Sequence, residues 1–133
     1  MPHLTIQYSS NLDWRTDMQA LCETLRTVMA ETGIFPLGGI RVRAFAAEAN
    51  AIADNHPDNA FADLVLRMGA GRPEEDKRRA GEAIFAATQS FFATEFEQPH
   101  FALSLEITEI DAGMSWRENA IHARLKAETE KPG

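Results

Sequence analysis

The sequence predicts an α/β (α+β) domain in which a strand-helix-strand unit occurs twice in tandem, followed by a C-terminal helix. Three observations predict it. Apolar and polar residues alternate over four short stretches, the signature of half-buried strands. Two longer stretches between them carry apolar residues at three- and four-residue spacing, the signature of amphipathic helices. Glycine and proline punctuate the boundaries at Gly33, Gly71, Pro73 and Pro99. At 133 residues the chain is one domain's worth, long enough to bury a proper core.

The first strand is expected from about Pro2 to Tyr8, with Pro2, Leu4, Ile6 and Tyr8 alternating against His3, Thr5 and Gln7. A helix from about Asp13 to Thr32 follows, placing Met18, Leu21, Cys22, Leu25, Val28 and Met29 on one face. Asn11 or Asp13 is expected to cap its start, and Gly33 suits the left-handed position that ends it. A second strand, roughly Gly39 to Ala46, alternates Ile40, Val42 and Ala44 against Arg41, Arg43 and Phe45. The polar stretch Glu48 to Asn59 reads as the connection between halves. The plan then recurs with a strand from Phe61 to Met68 and a turn at Gly69, Gly71 and Arg72. Pro73 opens a helix with Glu74, Glu75 and Asp76 in its first turn, where acids complement the positive helix end. Ala80, Ala83, Ile84, Ala87 and Phe91 face inward from it. A fourth strand runs from Phe101 to Ile110. Ser115 and Glu118 form a capping box for a terminal helix through Ala127. Residues 1–127 thus read as a single domain of two halves, about 1–47 and 60–110, plus a helix. Residues 128–133 are expected to form a flexible tail. Two architectures fit this order: a ferredoxin-like split βαβ sandwich, and a tandem pair of parallel β-α-β units.

Composition narrows the function classes. Net charge is −7, so the chain lacks the basic footprint of a nucleic-acid binder. No apolar run approaches membrane-spanning length, and no signal stretch opens the chain. Cys22 is the only cysteine, which excludes an internal disulfide and fits a reducing compartment; a cytoplasmic protein is expected. His3, His56, His100 and His122 show no metal-ligand spacing on a shared helix face, so no metal site is expected. Lys77, Arg78 and Arg79 read as a solvated helix face.

Two features point to chemistry. Pro2 follows Met1 directly; once Met1 is trimmed, Pro2 carries a free secondary amine. An α-amino group titrates at roughly 7.7–8.0, and burial or nearby cations lower that value and leave a neutral base. Arg41, on the polar side of the second strand, and Arg72, at the strand-to-helix turn of the second half, are the other feature. Guanidinium groups grip carboxylates with two parallel hydrogen bonds, so a pair aimed at one pocket selects a dicarboxylate. The bland alternative is that both are solvated, or pair with Glu74 and Glu75.

The segments MPHLTI, TGIFPLGGIRVRAF, GAGRPEEDKRRAGEAIF, ALSLEITEI and NAIHARLK resemble the 5-carboxymethyl-2-hydroxymuconate delta-isomerases of the tautomerase superfamily. The likeness runs from Met1 to about Lys126, with TGIFPLGGIR its most specific block. The second half is also similar to a short 4-oxalocrotonate tautomerase subunit. The resemblance implies tautomerase-type tandem β-α-β repeats: a four-stranded sheet with two helices on one face plus a C-terminal helix, assembled as a homotrimer. It implies Pro2 as catalytic base and Arg41 and Arg72 as holders of substrate carboxylates. Arg43, on the same strand face as Arg41, is a rival for that role, and Phe35, Phe45 and Phe61 are candidates to line the pocket. The implied reaction ketonises a small unsaturated di- or tricarboxylate, 5-carboxymethyl-2-hydroxymuconate, in homoprotocatechuate (4-hydroxyphenylacetate) degradation, with no cofactor. Two alternatives share the fold: an enzyme for another unsaturated 2-hydroxy or 2-oxo acid, and a non-catalytic trimeric binding module in which Met1 is retained. The connection from Ala47 to Asn59 and the chain after Lys126 have no clear counterpart in the family pattern.

Overall fold

Side-chain alternation decides how the sheet is built. In the computed structural model, which describes residues 1–130, β1 (His3–Ser9) runs parallel to β2 (Arg41–Ala47), and β3 (Ala60–Gly69) runs parallel to β4 (Phe101–Ile110). The two units join through antiparallel pairing of β1 with β3, giving the strand order β2-β1-β3-β4. A split βαβ sandwich would insert a strand between β1 and β2; here they are direct neighbours, and the tandem-unit architecture holds.

Registers align the apolar positions into one face. Leu4 sits between Val42 and Leu66, and Ile6 sits between Ala44 and Leu64. Onto that face pack α1 (Met18–Glu31), through Leu21, Leu25 and Met29, and α2 (Glu74–Phe91), through Ala80 and Ile84. Leu4, Ile6, Leu21, Leu25, Leu66 and Ile84 have no exposed surface at all. Each contributes roughly 1.5–3 kcal/mol by leaving water. Both helices cover the same face and touch each other. The opposite face carries His3, Thr5 and Gln7 flanked by Arg41, Arg43 and Phe45 of β2.

Three expectations are corrected. α1 starts at Met18, with the Asp17 carboxylate accepting from the Ala20 N–H at 3.0 Å, rather than at Asp13. The residues expected to cap it are engaged elsewhere. Asp13 accepts from the Tyr8 hydroxyl at 2.6 Å, and Asn11 donates to the Asn59 carbonyl at 2.8 Å, across the two halves. Leu12, buried in a short turn over Ser10–Leu12, closes the end of β1. The terminal helix α3 spans Ala120–Glu130, and Asn119 caps it by accepting from the His122 N–H at 3.0 Å; Ser115 and Glu118 stand outside. α3 therefore takes in residues 128–130, expected as tail, while 131–133 lie outside the described residues. Thirdly, the inward face of α2 includes Thr88 beside Ala80 and Ile84, with Ala87 and Phe91 packed against the core as expected, while Ala83 is half-buried and outside that cluster. The Thr88 hydroxyl satisfies itself on the Ile84 carbonyl at 2.7 Å. No described helix is long and apolar enough to cross a membrane.

α3 docks on the segment Leu37–Gly39 that leads into β2. Gly38 permits this: a Cβ there would lie 2.5 Å from the His122 Cα, a backbone atom that cannot give. At Gly39 a Cβ would lie 3.3 Å from Cδ of Pro2. Gly38→Ala is expected to lift α3 from the sheet, costing about 1–3 kcal/mol. Urea unfolding and faster amide exchange across 120–130 would show it. Gly39→Ala, whose clash is softer, should cost less.

Candidate active site

Three strand ends converge at one end of the sheet. Pro2 is buried at the head of β1. Parallel pairing sets His3 beside Arg41, and the Arg41 N–H donates to the Pro2 carbonyl at 3.2 Å. Antiparallel pairing sets His3 beside Arg67, so the end of β3 and its turn into α2 adjoin the N-terminus. In that turn, Arg72 donates to the Gly69 carbonyl at 3.2 Å. Its guanidinium carbon lies 5.2 Å from the ring centroid of Phe35, which is 95% buried and acts as a floor through cation–π attraction.

A cavity of about 730 Å³ opens here, walled by Met1, Gly39, Gly69, Arg72, Arg117 and Asn119 among others. None of its lining residues is an aspartate or glutamate, although the chain holds 20 acids against 13 lysines and arginines. The cavity is therefore a local positive region in an acidic protein. Its effect falls on the terminal nitrogen. Burial lowers that amine below its ordinary value of 8.0, and the cations of Arg117, Arg72, Arg41 and Arg67 lower it further. The Met1 side chain fills part of this space. Its sulfur accepts from Nη1 of Arg41 at 3.3 Å and from Nδ2 of Asn119 at 3.2 Å.

Of the expected residues, Arg72 lines the cavity; Pro2 and Arg41 are not on its wall but adjoin it through Met1, Pro2 by the peptide bond and Arg41 by its contact with the sulfur, and Phe35 lies beneath Arg72. Arg43 is placed apart. Its Nη1 lies 3.2 Å from Nδ1 of His3 on the open sheet face. Since a guanidinium only donates, that ring nitrogen accepts, and His3 carries its proton on Nε2. Phe45 is 54% exposed on the same face, away from the cavity. Phe61 lies on β3 beside Ser9, whose hydroxyl accepts its N–H at 3.0 Å.

The segment between β4 and α3 was missed from sequence. It brings Ser115, Trp116, Arg117 and Asn119 to the cavity, and His122 follows from α3. The one available signal was a basic residue and an asparagine, Arg117 and Asn119, just ahead of an apolar helix. The Glu48–Asn59 connection instead fastens the far end of the sheet. His56 and His100 stack at 4.1 Å, and with Asp58 their ligand-type atoms lie within 4.8 Å of one another. Nδ1 of each ring is already engaged, His56 by the Asp58 N–H and His100 by Asn59. A metal sits in the plane of an imidazole, and stacked rings do not aim two such planes at one point; the group serves as a clasp.

Comparison with known proteins identifies the family. The family model for 5-carboxymethyl-2-hydroxymuconate isomerase matches residues 2–125. The chain is 36% identical over 126 residues to the 5-carboxymethyl-2-hydroxymuconate Delta-isomerase of Escherichia coli, covering 95% of this chain and all of that one. It superposes on the crystal structure of a 5-carboxymethyl-2-hydroxymuconate isomerase from Deinococcus radiodurans R1 with a TM-score of 0.87, at 44% identity over 93% of each chain. A fused 4-OT symmetric trimer, 16% identical with a TM-score of 0.66 over 87% of this chain and 93% of that one, shares the fold.

His3 supplies a test of the site's electrostatics. Its pKa is lowered to about 4 by burial, then by Arg67, Arg43 and Arg41. A depressed folded pKa means that protonation opposes folding. The stability held with His3 neutral is complete above about 6.5, the unfolded value, and is lost as pH falls from there toward 4. Urea midpoints measured across this window should fall more steeply for the natural protein than for His3→Gln. Parallel curves would contradict the assignment.

Proposed function

The chain belongs to the 5-carboxymethyl-2-hydroxymuconate isomerase family, and on that premise we propose that it ketonises 5-carboxymethyl-2-hydroxymuconate with Pro2 as its base. One observation carries the reading: the terminal amine of Met1, the residue bonded directly to Pro2, lies at a cavity lined by Arg72 and Arg117 and by no carboxylate of the described residues, and burial and nearby arginines lower its pKa. Excision of Met1 makes the Pro2 nitrogen that terminus. It also releases Arg41 and Asn119 from the methionine sulfur, leaving two donors aimed at the emptied space.

The reaction needs no net addition. Neutral Pro2 takes the proton of the substrate's 2-hydroxyl; the O–H electron pair becomes the C2 carbonyl, and the diene electrons shift toward C5. The protonated amine then returns a proton to C5. One group acts as base and acid in turn, which requires a pKa near working pH. Arg41 and Arg72 hold the carboxylates of the muconate chain, and a guanidinium at the C1 end stabilises charge developing on the C2 oxygen. Phe35 keeps Arg72 in place. Arg43, engaged by His3, contributes charge at a distance. No metal or organic cofactor is called for. The lone Cys22 accords with a cytoplasmic setting for homoprotocatechuate degradation. The working unit is a homotrimer, supported by the symmetric trimer among its fold relatives and by the half-exposed apolar Leu37 and Phe45.

Native and intact mass spectrometry of untagged protein, followed by an ultraviolet assay on the dienol, tests this reading. Trimers lacking Met1 that convert the dienol rapidly are expected. Loss of Met1 without turnover would redirect the site to another unsaturated acid, and retained Met1 without turnover would favour a binding module. Because the base must be neutral, kcat/KM should rise with pH through a single acid limb and flatten above it. Pro2→Ala should lower turnover far more than stability. Arg41→Ala and Arg72→Ala should each cost about 2–4 kcal/mol in kcat/KM once bound substrate excludes water from the cavity. An effect no larger than that of Arg78→Ala, on the exposed helix face, would remove them from the site.

A further inference from the structure

We propose that Arg117 grips the third carboxylate of the substrate, its carboxymethyl arm, and so sets a preference for the tricarboxylate over the dicarboxylate lacking that arm. The proposal rests on the reading above and names a determinant within the same site.

Arg117 shares the cavity wall with Met1 and Arg72. Among the described residues it has no carboxylate within 4.0 Å. Most arginines on the helix surfaces behave differently: Arg78, Arg79 and Arg124 each hold an acid of their own helix, Glu74, Asp76 and Glu128, while Arg26 of α1, which is not on the cavity wall, donates to Thr27. The protein is rich in acids, so a guanidinium left without one beside a cavity is a vacancy for an external carboxylate. The count fits as well. Arg41 and Arg72 suffice for the two carboxylates of a muconate, and the carboxymethyl arm adds a third.

Position favours the arm over the reacting end. Pro2 is buried, whereas Arg117 is exposed at the cavity's mouth. Its backbone is nonetheless held. Two residues on, Asn119 donates to the Gly38 carbonyl at 2.9 Å and caps α3, anchoring the segment to the turn that packs on Pro2. Arg117 is thus a cation whose backbone is tethered near the N-terminus, reaching a group that does not take part in bond changes. Such a contact acts equally in ground and transition states, so its loss shows in KM more than in kcat.

The test compares kcat/KM for 5-carboxymethyl-2-hydroxymuconate and for 2-hydroxymuconate in the natural protein, Arg117→Ala and Arg117→Lys. The tricarboxylate-to-dicarboxylate ratio should fall roughly tenfold or more in Arg117→Ala, through KM, with partial recovery in Arg117→Lys. An equal loss on both substrates, or none, would overturn the proposal. Calorimetry with propane-1,2,3-tricarboxylate and with glutarate judges Arg117 without turnover. A tricarboxylate preference present in the natural protein and gone in Arg117→Ala supports it; no such preference, or its persistence in the variant, overturns it. If the natural protein binds in this way but turns over neither dienol, the proposed reaction fails and Arg117 stands.

Discussion

The antiparallel pairing of β1 with β3 is the constraint from which the site follows. It fixes the first residues of the chain beside the last residues of β3, because His3 faces Arg67 and Leu4 faces Leu66. The turn holding Arg72 therefore lies next to the N-terminus, although some 70 residues separate them in sequence. The parallel pairing of β1 with β2 adds Arg41 on the other flank. A slip of one residue in either register would turn every side chain of a strand to the opposite face. Leu4, Ile6, Leu64 and Leu66, all buried, hold the register against such a slip. The core thus does more than stabilise: it aims the chemistry.

Charge is distributed with the same economy. The helices carry ion pairs on their outer faces, such as Arg78 with Glu74 and Lys77 with Glu109 of β4, and these exposed pairs contribute little to stability. At the head of the sheet the pattern reverses, with cations left free of acids. Their common field lowers the terminal amine and, on the open face, His3. Both groups are driven toward their neutral forms by the same two causes, burial and nearby guanidinium. For the proposed reaction, which starts from a neutral amine and binds an anion, one arrangement meets both needs.

The C-terminal segment completes what the two repeated units leave open. Neither unit supplies a wall on the side of Gly38, and α3 fills it only because glycine there lets two backbones meet. Asn119 then links three parts of the chain: the Met1 sulfur, the Gly38 carbonyl and the first turn of α3. At the opposite end of the sheet, Asn59 and the stacked His56 and His100 bind the long connection to β4. The ends of this domain are therefore differently made, one fastened by polar side chains and one opened into a cavity.

The amino-acid sequence by itself determined the elements and the face each buries. Period-two and period-3.6 patterns are local, and they located four strands and two long helices, with β4 at Phe101–Ile110 as expected. Gly33 takes the left-handed conformation at φ 71°, as its place after α1 required. Pro2, Arg41 and Arg72 gained their candidate roles through the family resemblance, because local pattern alone leaves an arginine on a strand or turn free to be solvated or to pair with acids such as Glu74 and Glu75. What local pattern could not give was anything that depends on two distant segments meeting. The start of α1 moved because Asn11 and Asp13 are claimed by Asn59 and Tyr8. Phe35 lies under Arg72 instead of on the cavity wall, and Arg43 turned to His3. Arg117 entered the site from a stretch with no periodicity to read. Tertiary structure decided these because a side chain with several possible hydrogen-bond partners takes the one that the fold brings within reach, and only strand register and helix docking settle which that is.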